Sequence, residues 1–128
     1  MLAILLLGSS SAQIAQADTF VGGTNVWAMV TAPSIQTLNG QPVGVVSLSN
    51  TLSSTVSGVV VMVIRNNSSQ TVYYTVSTLT LDSRTVGAAY LVEFGLIPGT
   101  YHASFFAFSF GGIAITNSTT IPFRVPGP

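Results

Sequence analysis

Seven side chains can carry charge near neutral pH: Arg65, Arg84, Arg124, Asp18, Asp82, Glu93 and His102. A hydrolytic triad needs a nucleophile, a base and an acid that orients the base, and His102 is the only imidazole in the chain. It stands between Tyr101 and Ala103 in an apolar run, and no serine sits in a Gly-x-Ser-x-Gly elbow. The three carboxyl groups fall one to a segment, which suggests neither a general-acid/base pair nor an oxygen cage for a cation. With no cysteine there is no thiol nucleophile, thiolate metal site or disulfide framework. A phosphate-cradling glycine loop is missing as well. The chain is expected to be no enzyme, with no catalytic residue, metal or cofactor.

The chemistry that the spacing does support is covalent modification. Asn66-Asn67-Ser68, Asn67-Ser68-Ser69 and Asn117-Ser118-Thr119 each fit the N-x-[ST] glycosylation acceptor pattern. The first two overlap in a predicted hairpin turn, where crowding leaves room for one large glycan. Asn66, Asn67 and Asn117 are the candidate acceptors, and glycans are the only non-protein groups expected.

Of the 128 residues, 5% are charged and 48% hydrophobic, the formal net charge is zero, and Ser and Thr together number 31. Soluble domains usually carry about 25% charged residues, so polarity here rests on hydroxyl groups. The charge balance excludes a phosphate-neutralising surface, and no nucleic-acid partner is expected. The apolar content is enough to bury a core, which excludes disorder. A neutral chain this apolar should self-associate. Sugars would hydrate its surface without adding titratable groups, and stability should then vary little with pH, which suits an acidic or hot habitat.

The chain divides at Pro33. Residues 1–30 hold one charge, Asp18, and place large apolar residues at Leu6/Leu7, Ile14, Phe20/Val21 and Trp27, a seven-residue spacing that keeps one face of a helix apolar. Three or four residues before those positions stand Ala3, Ser10, Ala17 and Thr24, a stripe of small side chains that lets helices approach closely. The spacing predicts an assembly helix within residues 1–32, packed through Ala3, Leu6, Leu7, Ser10, Ile14, Ala17, Phe20, Val21 and Trp27, with a hinge at Gly22-Gly23. A secretory signal ending at Ala15-Gln16-Ala17 is a second reading, without the basic leader such signals carry. Ser9 to Ser11, Gln13 and Gln16 interrupt the run that an ordinary membrane anchor needs.

From Ser34 on, turn residues at Asn39-Gly40, Asn66 to Ser69, Asp82 to Arg84, Pro98-Gly99 and Gly111-Gly112 separate runs rich in Val, Ile, Thr, Tyr and Phe. Residues 33–128 are therefore read as a β-sandwich, and the fold class as α+β: a long N-terminal helix followed by an immunoglobulin-like antiparallel sandwich. Val59 to Ile64 and Phe105 to Phe108 are apolar on both faces, so each strand needs a cover on both sides, the second cover being another subunit or the helix. Gly95-Leu96-Ile97-Pro98-Gly99-Thr100-Tyr101 resembles the penultimate turn of many immunoglobulin-like extracellular domains.

As a whole, Met1 to Val30 followed by a hydroxyl-rich β domain resembles an archaeal type IV pilin of the adhesive-pilus kind. Leu5 stands where bacterial pilins usually carry Glu. The resemblance implies a homo-oligomeric helical filament with the helices in its core and glycosylated sandwiches outside. It also implies a subunit held in the membrane before assembly, an extracellular location, and adhesion to host or abiotic surfaces. Two alternatives stand beside it. In a donor-strand fibre, Asp18 to Val30 completes the sheet of the next subunit. In a secreted surface- or carbohydrate-binding module, the aromatics from Phe105 to Phe110 form a platform.

Overall fold

Branched and aromatic side chains fit a pleated, half-buried surface, and the runs that carry them here form strands. The computed structural model describes residues 25–39, 41–93 and 95–127. The strands are β1 (Trp27–Met29), β2 (Ser34–Leu38), β3 (Gln41–Asn50), β4 (Val56–Asn66), β5 (Thr71–Leu81), β6 (Val86–Val92), β7 (Gly99–Ser109) and β8 (Thr119–Val125). They make two antiparallel sheets. In the first, β6 pairs along one edge of β3, while β2 and β1 follow each other along its other edge, opposite Gln41 to Val45 and Leu48 to Asn50. The second runs β5-β4-β7-β8.

The core lies between the sheets. Trp27, Leu48, Met62, Ile64, Leu91 and Phe105 are its largest fully buried apolar side chains. Two glycines let the layers close: a Cβ at Gly44 would stand 2.6 Å from Met62 Sδ, and one at Gly58 would stand 2.9 Å from the Phe108 carbonyl oxygen and 3.1 Å from the Trp27 ring. Asn50, buried at the end of β3, donates through Nδ2 to the carbonyls of Ser54 and Leu81 at 2.8 and 3.0 Å, and its Oδ1 accepts from the Leu52 N–H at 3.0 Å. This side chain fastens the β3–β4 connection to the end of β5. Before β7, the Tyr101 hydroxyl donates to the Ile97 carbonyl at 2.6 Å and its ring stacks on Phe123 with centroids 5.6 Å apart. A tyrosine bonded back to the backbone just upstream of its strand is the corner found in immunoglobulin-like sandwiches.

The expected α+β class is corrected to all-β: the described residues contain no helix. The expected packing positions from Ala3 to Val21 and the hinge at Gly22-Gly23 lie outside the described residues. Trp27, assigned to the assembly helix, begins β1. Its side chain is 1% exposed, the next residue, Ala28, is exposed and Met29 is half-buried, so burial here changes residue by residue. The seven-residue spacing that pointed to a helix cannot by itself exclude a strand. The backbone finds partners on the free edge of β3 and at the Ile115 carbonyl, which accepts from the Trp27 N–H at 2.9 Å. In this chain Trp27 to Met29 complete the first sheet of their own subunit, the place a donated strand would take.

Candidate functional site

The residues able to do acid–base chemistry are kept apart. His102 is exposed on β7, opposite Arg65 on one side and Pro122 on the other. Asp82 lies in the β5–β6 turn, where its Oδ1 accepts from the Thr55 hydroxyl at 3.3 Å. Glu93 follows β6 and is 1% exposed. Neither of its carboxyl oxygens has a hydrogen-bond partner among the described residues. Burial away from water pushes its pKa above the ordinary 4.5, while the Leu96 backbone, short of a formed hydrogen bond, pulls the other way. Among the described residues no three His, Asp or Glu side chains gather as a metal site would require.

The feature these strands do build is the outer face of the second sheet. Alternation along each strand sends Val59, Val61 and Val63 of β4, Val72, Tyr74 and Val76 of β5, and Phe106 and Phe108 of β7 away from the core. Register then aligns them in rows: Thr78-Val59-Phe108, Val76-Val61-Phe106 and Tyr74-Val63-Ser104. Val61 is only 6% exposed because Val76 and Phe106 flank it, whereas Tyr74 and Val76 are 67% and 54% exposed. The Phe106 and Phe108 rings lie tilted with centroids 6.4 Å apart. Polar pairs close both ends of this field. At one, the Ser57 and Thr80 hydroxyls are 2.8 Å apart. At the other, Arg65 donates to the Ser104 hydroxyl at 3.1 Å, and Ser104 and Thr120 are 2.7 Å apart. An apolar centre within a polar rim is the anatomy of an association surface.

The aromatic platform expected over Phe105 to Phe110 is reduced by the same alternation. Phe105 points inward with no exposure, and Phe106, Phe108 and Phe110 remain outside. Alternation within β5 alone places Val72, Tyr74 and Val76 on one face. That this face continues across Val59, Val61 and Val63 to the phenylalanines depends on the pairing of β4 with both neighbours, which no local pattern encodes.

The glycosylation candidates differ in their surroundings. Asn66 holds the β4–β5 turn together: its Oδ1 accepts from the N–H groups of Ser68 and Gln70 at 2.9 and 3.0 Å, and its Nδ2 donates to Gln70 Oε1 at 3.1 Å. Asn67, next along the turn, is exposed, and Ser69 takes a left-handed φ of 61°. Asn117 is exposed just before β8.

No protein-family model matches this chain, and no curated protein matches it. Solved structures do resemble it. A β-glucuronidase of Bacteroides uniformis superposes with a TM-score of 0.63 at 8% identity, over 77% of this chain and 14% of its own. A glycosyl hydrolase family 2 member from Bacteroides cellulosilyticus DSM 14838 gives a TM-score of 0.59 at 16% identity, over 80% of this chain and 16% of its own. A further structure of a family 2 member from Bacteroides cellulosilyticus gives 0.59 at 17% identity, over 80% and 15%. The chain thus spans about a seventh of the proteins it resembles, and at these identities the likeness is one of fold. The described residues are all-β and share their sandwich with such domains, which conflicts with the expected pilin and helical filament.

Proposed function

We propose that this chain is a non-catalytic β-sandwich subunit that associates with copies of itself, outside the cell, through the outer face of its four-stranded sheet. The observation that carries this reading is the rimmed apolar field centred on Val76, Val61 and Phe106. Four strands about 4.8 Å apart, up to 11 residues long and rising about 3.3 Å per residue, offer roughly 700 Å². A standard interface takes about 800 Å² from each partner. Charge favours a second copy with its strands reversed. Arg65, His102 and Arg124 lie toward one end of the second sheet, with Asp82 and Arg84 together in the turn at the other, so reversal keeps the more basic ends apart. The glycosyl hydrolases that share the sandwich are several times longer, so the likeness supports the module and not their hydrolysis.

Sedimentation of the full chain over a range of concentrations tests the proposal. The wild-type chain should self-associate. Phe108→Lys, whose side chain points off the sheet, should keep its far-ultraviolet circular dichroism while association weakens by about tenfold or more. A wild-type chain that stays monomeric at its highest soluble concentration refutes the proposal. A monomer that binds oligosaccharides, and loses them on Phe108→Lys, would instead favour the half-buried Phe106 and Phe108 with the exposed Phe110 as a sugar platform.

A further inference from the structure

Resting on the reading that copies associate, we infer that the free edge of β5 is a second contact, which pairs antiparallel with β5 of another copy about Val76. Edge strands expose unpaired N–H and C=O groups, and proteins normally guard them with charge, proline, interruption or short length. The other edges of this sandwich are guarded in those ways. Proline and arginine stand in β8 at Pro122 and Arg124, the β1–β2 edge is broken around Pro33, and β6 is seven residues long with Gly87 near its start. β5 has 11 residues, Thr71-Val-Tyr-Tyr-Thr-Val-Ser-Thr-Leu-Thr-Leu81, with no charge, proline or glycine among them. Its only strand partner among the described residues is β4, and its inward side chains Tyr73, Thr75, Ser77 and Leu79 are half-buried, as they are where a sheet stops.

The sequence of β5 is compatible with its own reverse. Pairing about Val76 sets Tyr74 against Thr78 and Val72 against Thr80 on the outer face, and Thr75 against Ser77 and Tyr73 against Leu79 on the inner one. Each is a neutral pair of good strand formers, with no like charges opposed. In this register the row Phe106-Val61-Val76 continues into Val76-Val61-Phe106 of the second copy, so the two outer faces merge into one eight-stranded surface.

The absence of cysteine makes the test clean. In Val76→Cys the two engineered thiols would lie opposite each other, with Cα atoms about 4.5–5.5 Å apart, inside disulfide reach. In Thr80→Cys they would be roughly 27 Å apart. Under mild oxidation of the full chain, Val76→Cys should form a covalent dimer nearly to completion while Thr80→Cys stays reduced. Copies packed only face to face hold their sheets about 10 Å apart, beyond disulfide reach. A chain that sediments as an oligomer but leaves Val76→Cys reduced therefore overturns the edge contact and spares the face. Equal crosslinking of both variants overturns it too. If Val76→Cys fails to fold, hydrogen exchange of the wild-type chain decides: amides of residues 71–81 should slow as concentration rises, and unchanged exchange there rejects the pairing.

Discussion

Among the described residues, Glu93 is a titratable group whose surroundings give the fold a pH dependence. Its folded pKa is raised above the ordinary 4.5, so between the unfolded and folded values the native state holds the extra proton, and stability falls as pH rises through that window. The stabilising contribution is complete below about pH 4.5 and is lost above the folded value. The thermal midpoint is accordingly expected to drop from about pH 4 to about pH 7 in the wild type, and Glu93→Gln should flatten that profile by raising the neutral-pH midpoint. A sparse inventory of charges predicts near-independence of pH, and it is burial, invisible in the residue types, that singles out Glu93. The glycan acceptors follow the same division. The N-x-[ST] triplets are legible in the sequence, but the hydrogen bonds of Asn66 commit its amide to the turn and make exposed Asn67 the better candidate of the two. In a glycosylating host, Ser69→Ala should remove the turn glycan and Ser68→Ala should leave it, as glycopeptide mass spectrometry would show.

The elements were legible where local chemistry and tertiary context agree. Turn residues and branched runs locate β3 to β7, and the Ile97 to Tyr101 stretch announces a corner whose hydroxyl bond the structure supplies. Around Trp27 the two disagree. A seven-residue apolar spacing reads as a helix, yet the indole is buried above Gly58 while the backbone pairs with β3. The closeness of this packing can be measured. Gly58→Ala should destabilise by about 1–3 kcal/mol in a denaturant titration, because the added methyl meets the Phe108 carbonyl oxygen at 2.9 Å and a backbone atom cannot swing aside. Gly44→Ala should also destabilise, since its added methyl meets the Met62 thioether at 2.6 Å and the buried Phe105 ring at 2.9 Å, and only the thioether can move aside.

At the scale of the molecule, the near absence of charge has two consequences that meet on one surface. No net charge holds copies apart, and among the described residues no charge lies in β5 or at the centre of the outer sheet face. Association driven by apolar burial should therefore respond weakly to simple salt, whereas Phe108→Lys, which adds charge and removes a ring, should disrupt it in sedimentation. Both contacts include Val76, but one uses outward side chains and the other the backbone of β5, so they can fail separately and the cysteine and lysine variants answer different questions.

Composition and local pattern by themselves determined that this chain carries a single imidazole and no thiol, that it has β runs and turns from Ser34 on, and which asparagines fit an acceptor triplet. These depend on residue types and on neighbours a few positions away. The tertiary structure decided that Trp27 belongs to a strand, that Glu93 is buried without a hydrogen-bond partner among the described residues, and that Val76, Val61 and Phe106 form one row. Each of these depends on which strand lies beside which, and pairing between segments tens of residues apart is set by the packing of the whole core.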